Sequence, residues 1–338
     1  MADNSRLQDV AELIAGHLCQ RTPDQYCRET GITREDFVAF EPQDFEGEVF
    51  AVDGSNVMVC DWSVANLNKI RAGYAVYRGW EWQRTVITYD DVFLADAESY
   101  AWQFEQDLER SFGIKRIFLE ESDLDRISTY FRELQEYIAL SEAISVAQPG
   151  DLVLHDGGFD VFEPLRTVLQ RVIRSAEEKD VDLLGISKSS TLFWGKGLSL
   201  PLVQHTGWAG SMFVPNRPWY ISLRGKGVKP ESKWDGQTFI VRFDGGSSRA
   251  FKVDAPSYLA DRIGPALAKA AACSCSAECL GYPHPLFRAH RDIRISSQEK
   301  ELMLLELMDL LSNRGVKEQQ VRMMIQDFHD VLEMRQGF

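Results

Sequence analysis

Two apolar runs, Val49-Phe50-Ala51-Val52 and Leu152-Val153-Leu154, lead to an aspartate followed by glycine, at Asp53-Gly54 and at Asp156-Gly157-Gly158. Short apolar runs bounded by turn residues read as buried strands. A buried strand that delivers a carboxylate to its end constrains the fold. In a mixed α/β sheet the strand ends carry ligands because the scaffold fixes them, and the glycine lets backbone and substrate come close. Asp-Gly is also an ordinary turn pair. Its recurrence after two apolar strands points to a shared site in which Asp53 and Asp156 hold a hard divalent cation such as Mg²⁺ or Mn²⁺.

Such an ion wants oxygen ligands in octahedral arrangement, so a third carboxylate is expected. Residues 123–147 have apolar positions at three- and four-residue intervals and no Gly or Pro, which predicts one long helix stopped by Gln148-Pro149-Gly150. That helix offers Glu133, Glu136 and Glu142, and most acids on an amphipathic helix form its solvated face. Composition alone does not choose among them.

The 338 residues are 44% hydrophobic, enough for a sizeable core in one large domain or two ordinary ones. No run approaches the roughly 20 apolar residues of a membrane helix. The opening MADNSRLQDV lacks the basic and apolar regions of a signal peptide, so a soluble cytoplasmic protein with no membrane role is expected. A formal charge of −14 argues against a generally basic surface that coats nucleic acid. It does not exclude nucleic acid, because ions held by carboxylates supply the positive charge that meets phosphate.

From Glu48 to about Phe93, runs rich in Val, Tyr, Trp and Thr (EVFAVDGS, NVMVCDWSVA, AGYAVYRGW, RTVITYDDVF) predict consecutive strands in an antiparallel meander. Tyr74, Tyr77, Trp80 and Trp82 with Arg71, Arg78 and Arg84 suit either a groove that tracks single-stranded DNA or the core of the meander. VDLLGISKSS predicts a third short apolar strand ending near Lys188, and WYISL, TFIVRF and AFKVDAP predict further strands. Helices are expected near both termini. Cys273, Cys275 and Cys279, with His284 just beyond, raise a structural metal against the plainer reading of small buried residues at a helix end. Their spacing is not that of a zinc ribbon or finger.

AVDGSN, a helix bearing Arg132-x-x-x-Glu136, then DLVLHDGG, LLGISKSS and GYPHPLFRAH follow one another in an order and spacing that resemble the NurA nucleases. The resemblance extends over most of residues 45–295. It implies a ribonuclease H-like mixed sheet flanked by helices, with a helical lead-in at 1–45, a nuclease domain at 46–295 and a helical hairpin at 296–338 packed on the same domain. It further implies a homodimer and a divalent-metal-dependent (Mn²⁺ or Mg²⁺) deoxyribonuclease. That enzyme would be a 5′ to 3′ exonuclease with single-strand endonuclease activity. It would act with a HerA-type hexameric ATPase translocase in DNA end resection, repair or defence.

Matched position by position, the resemblance implies Asp53 and Asp156 as the two aspartates, Glu136 as the helix glutamate with Glu142 as the alternative, Lys188 after the third core strand, and Tyr282 and His290 as the late pair. Ser55 is either a substrate contact or the close of a turn. The family's second acid is commonly followed by Gly-Ser, whereas Gly157-Gly158 stands here. Phosphodiester hydrolysis by two metal ions about 3.5 to 4 Å apart would then use Asp53 as the bridging ligand, with Asp156 and Glu136 completing the shells. His290 would be a ligand or a proton donor, and Tyr282 and Lys188 would contact phosphate or water. Two other classes fit less well. An actin-like or sugar-kinase-like ATPase would need a second phosphate loop pair, and a non-catalytic adaptor of a translocase would have no use for the full set of polar residues.

Overall fold

Val49 to Val52 is buried without interruption because helices cover both faces of the sheet it enters. The computed structural model describes residues 5–18, 22–62, 65–96, 100–115, 126–160, 163–194, 201–229 and 234–324. Helices α1 (Ser5–Leu18) and α2 (Pro23–Thr30) precede a short strand β1 (Val38–Ala39). Three long strands follow, β2 (Glu48–Trp62), β3 (Ala65–Arg78) and β4 (Glu81–Asp96), then helices α3 (Tyr100–Phe112) and α4 (Ile127–Val146). A βαβ unit comprises β5 (Leu152–Asp156), α5 (Arg166–Glu178) and β6 (Asp182–Ser187). Next come β7 (Phe193–Trp194), α6 (Leu202–Phe213), β8 (Trp219–Ser222), β9 (Val228–Lys229), β10 (Gly236–Arg242) and β11 (Phe251–Pro256). Helices α7 (Ile263–Ala272), α8 (His284–Ile293), α9 (Ser297–Ser312) and α10 (Glu318–Met324) close the described chain.

Nine strands form one mixed sheet in the order β1-β8-β10-β11-β6-β5-β2-β3-β4. Among the described residues only the β2–β5 and β5–β6 pairs are parallel. On one face Phe50 and Val52 of β2 pack with Phe131, Leu134 and Leu140 of α4 and Val168 and Val172 of α5. On the other face Val49 and Ala51 pack with Ala266 and Ala270 of α7 and Leu286, Ala289 and Ile293 of α8. Each large side chain so buried contributes about 1.5–3 kcal/mol. That alternation assigns every residue of the central strands to one face. A third apolar cluster joins Tyr26 and Ile32 near α2 to Leu202 of α6 and Trp219 of β8, and the Tyr26 hydroxyl lies 2.9 Å from Thr206 Oγ1.

The meander differs from its expected form. The two runs EVFAVDGS and NVMVCDW belong to a single strand, β2, and the meander has three long strands. Asp53 therefore stands inside a 15-residue strand and not at its tip. The reason lies in the pairing: β5 matches β2 only from Val49 to Val52, whereas β3 accompanies β2 from Glu48 to Trp62. Beyond Asp53 the sheet narrows on that side, so the polar stretch Gly54-Ser55-Asn56 is strand held by one neighbour. Its sequence resembles a turn because one flank lacks a partner.

The helix expected over 123–147 is α4, with 123–125 outside the described residues. The run ITREDF makes one 3-10 turn, Arg34–Asp36, and Asp36 Oδ2 accepts from the Thr33 N–H at 2.8 Å. Helices α3 and α6 have no counterpart in the sequence reading. Helices α9 and α10 fall where the C-terminal hairpin is expected, and residues 325–338 lie outside the described residues. No helix among the described residues is long and apolar enough to cross a membrane.

Candidate metal centre

The parallel register pairs Val52 with His155, so one further step sets Asp53 beside Asp156 on adjacent strands. Both lie on the face covered by α7 and α8, since their neighbours two residues back, Ala51 and Leu154, belong to that core. Their side chains are each only 7% exposed. Helix α8 supplies the third member. Leu286, Ala289 and Ile293 bury one stripe of that helix, which turns His290, one position past Ala289, to its rim. His290 Nδ1 lies 2.9 Å from Asp53 Oδ2, and the ring is about half exposed at 49%. One ligand atom each from Asp53, Asp156 and His290 lie within 4.8 Å of one another. Among the described residues this is the group of acid, His or Cys side chains placed to hold an ion.

The remaining bonds orient the two carboxylates. The Gly54 N–H donates to Asp53 Oδ1 at 2.8 Å. The Tyr282 hydroxyl donates to Asp156 Oδ1 at 2.9 Å, and Lys188 Nζ sits 2.5 Å from Asp156 Oδ2. Lys188 also lies over the Tyr282 ring, 5.4 Å from its centroid. Burial, and then the Asp53 charge, push the Asp156 carboxyl above its ordinary range against the pull of Lys188 and Tyr282. Two such carboxylates repel one another in a poorly solvated place, and a cation between them removes that cost. Tyr282 is itself buried and held well above the usual tyrosine range by burial and by Asp156, so it stays a hydrogen-bond donor.

Glu136 occupies the opposite face of the sheet. It is fully buried on α4, where Arg132 Nη1 contacts its Oε1 and His155 Nε2 lies 3.6 Å from its Oε2. Only Gly54 separates it from the strand: a Cβ at that position would stand 2.6 Å from Glu136 Cγ. Burial acts to raise the Glu136 carboxyl, yet Arg132 and His155 outweigh it and hold it below the ordinary range. The adjacent Glu133 is raised, by burial first and then by the Glu136 charge, and its Oε1 accepts from the Tyr137 hydroxyl at 3.1 Å. Glu142 is elsewhere on α4, accepting from the Tyr74 hydroxyl at 3.2 Å.

Ser55 Oγ accepts a hydrogen bond from the Ile295 N–H at 3.1 Å and so ties β2 to the link between α8 and α9. Tyr74 and Tyr77 are buried, while Trp80 and Trp82 are exposed. Arg71 is paired with Asp90 and Glu299, Arg78 with Glu48, and Arg288 lies over Trp82 at 4.3 Å. The aromatic-arginine stretch is thus divided between core and surface. Cys273 and Cys279 are buried at the end of α7 and in the turn that follows, and Cys275 Sγ contacts the Ala271 carbonyl at 3.5 Å. His155 is a site neighbour that the sequence reading passed over. Its signal was a polar residue between the apolar Leu154 and the acid Asp156, at a position whose alternation sends it to the α4 face. There its ring stacks on Phe159 at 5.9 Å.

Among solved structures, the chain matches two crystal structures of NurA. The NurA nuclease from Sulfolobus solfataricus matches with a TM-score of 0.58 and 16% identity, over 92% of this chain and 96% of that one. A second NurA structure matches with a TM-score of 0.58 and 11% identity, over 94% of this chain and 99% of that one. No family model matches the sequence, and no curated protein matches it. The fold is a ribonuclease H-like mixed sheet flanked by helices. More narrowly, it is the fold of the NurA nucleases, followed through nearly the whole chain.

Proposed function

We propose that this chain is a divalent-metal-dependent deoxyribonuclease of the NurA type. The observation that carries the reading is the pair Asp53 and Asp156, side by side on one sheet face with His290 on their rim. The donor set fits a hard cation: two carboxylates and an imidazole nitrogen, with mutual repulsion of the acids left for the cation to relieve. Asp53, Asp156 and His290 would hold Mn²⁺ or Mg²⁺. Bound there, the ion would supply Lewis-acid charge that acidifies a water and neutralises phosphate oxygens.

The chain's own groups do the rest. Gly54 and His290 fix the two oxygens of Asp53, and Tyr282 and Lys188 fix those of Asp156. With the ion held by the two aspartates alone, the half-exposed His290 would instead give a proton to a leaving oxygen. The Lys188 ammonium, 42% exposed, presents a point charge to an approaching phosphate. Glu136, behind Gly54 on the opposite face and paired with Arg132, would add a further carboxylate only on leaving that pair. Homodimerisation, a HerA-type translocase partner, and roles in end resection, repair or defence belong to the same proposal. The exposed Leu302, Leu305 and Leu310 of α9 and Met323 of α10 offer apolar surface for such contacts.

The test is incubation with 5′-labelled single- and double-stranded DNA and Mn²⁺, comparing the wild type with Asp53→Ala. Metal-dependent degradation abolished by the substitution is expected. Equal activity in the two proteins, or none in either, overturns the reading.

A further inference from the structure

A groove of about 690 Å³ is lined by Lys188 and Tyr282, which both contact Asp156, and by the segment after β6, helix α6 and the β10–β11 connection. Its lining departs from the character of the chain. Acids outnumber bases 51 to 37 overall, yet the groove has Lys188 and Arg249 as cations and Glu278 as its one carboxylate among the described residues. Arg249 is exposed and has no carboxylate partner among the described residues, unlike Arg71, Arg78, Arg217 and Arg262. Serine hydroxyls at 189, 190 and 248 line it as well. Trp208 on α6 opens its indole to the groove while 39% exposed, its ring meeting Tyr26 edge to face at 6.4 Å.

A cation, hydroxyls and an open aromatic face in one channel are the parts that hold an unpaired nucleotide: charge for phosphate and a ring for the base. A base in a duplex has both faces stacked already, so Trp208 has nothing to stack on until strands separate. We infer that this groove seats one single strand, with a base stacked on Trp208 and a phosphate on Arg249, and feeds it past Lys188 and Tyr282 to the aspartates. The inference deepens the nuclease reading and rests on it.

Binding and cleavage are read separately. Binding of a fluorescein-labelled oligothymidylate is measured by anisotropy in EDTA, where no metal-dependent cleavage occurs. Trp208→Ala is expected to weaken it about tenfold, the size of one base–aromatic stack. Trp208→Phe should restore most of the affinity. Arg249→Ala should weaken binding and lower its dependence on salt concentration. An oligonucleotide of the same length with abasic sites should bind the wild type about as weakly as thymidylate binds Trp208→Ala. The abasic comparison uses the wild type alone, so it decides the matter even if Trp208→Ala fails to fold. Equal affinity of the wild type for abasic and thymidylate strands overturns the groove. So does an unchanged affinity in Trp208→Ala, or a changed sedimentation mass of that variant, which would make the face an interface between copies. Binding through Trp208 without any Mn²⁺-dependent cleavage would overturn the nuclease reading and leave the groove standing.

Discussion

Gly54 on β2 and Glu136 on α4 meet so closely that a single added methyl on the glycine would lie 2.6 Å from Glu136 Cγ. The strand residue that follows the first aspartate is therefore small because a buried glutamate fills the place of its side chain. Gly54→Ala must displace the helix or the carboxylate, at a cost of about 1–3 kcal/mol as for other overpacked cores. A lowered midpoint in urea denaturation checks it, and nuclease activity should fall further than stability does.

Asp53→Asn is expected to separate metal binding from folding. Millimolar Mn²⁺ should raise the melting midpoint of the wild type, by about 2.7 kcal/mol of stability when the ion is at a hundred times its dissociation constant. The variant keeps the acceptor oxygen for Gly54 but loses the charge, so its midpoint should not respond to Mn²⁺. In EDTA it should be at least as stable as the wild type, because the repulsion felt by Asp156 is gone. Differential scanning fluorimetry with and without the ion gives both numbers.

How far this centre could be read from residues alone is uneven. Asp53 and Asp156 were legible because burial and acid stand next to each other in the chain. Tyr282 and His290 were legible only through a family pattern, since an isolated histidine on a ten-residue helix carries no signal of what it faces. The face on which Glu136 sits was not legible. It follows from α4 covering the side of β2 that Phe50 and Val52 bury, and that is fixed by packing across more than 80 residues of sequence. The length of β2 was misread for a related reason: loss of the β5 neighbour at Asp53 lets polar residues enter a strand that continues.

Arg132→Met leaves Glu136 and Glu133 buried without their countercharge. A loss of about 3 kcal/mol is expected, as when one partner of a buried ion pair is removed. The double substitution Arg132→Met with Glu136→Gln should recover most of it, because Glu136, the fully buried carboxylate that Arg132 balances, then carries no charge. Urea melts of the four proteins close the cycle, and additive losses would show that the two groups are not coupled.

The pairing of Arg71 with Glu299, at 2.7 Å, ties α9 to β3 and gives a pH signature. A bond from the Ser296 N–H, then the Arg71 contact, pull the Glu299 carboxyl down to about 2. The folded value lies below the ordinary one of about 4.3, so this contribution is complete above that pH and is lost as pH falls through the interval toward 2. Glu299→Gln keeps the helix cap but cannot titrate. The gap in melting midpoint between it and the wild type should be open near neutral pH and close in acid.

The aspartate pair also dates the site within the life of the chain. Asp53 waits for β5 before it has Asp156 beside it, and it contacts His290 across a separation of 237 residues, while Tyr282 reaches Asp156 across 126. A chain emerging from the ribosome thus has both carboxylates, with Gly54 and Lys188, long before Tyr282 and His290 exist. On the proposed nuclease reading, a fragment released before Tyr282 and His290 would carry both aspartates without the two groups that contact them from afar, and would be a harmless one.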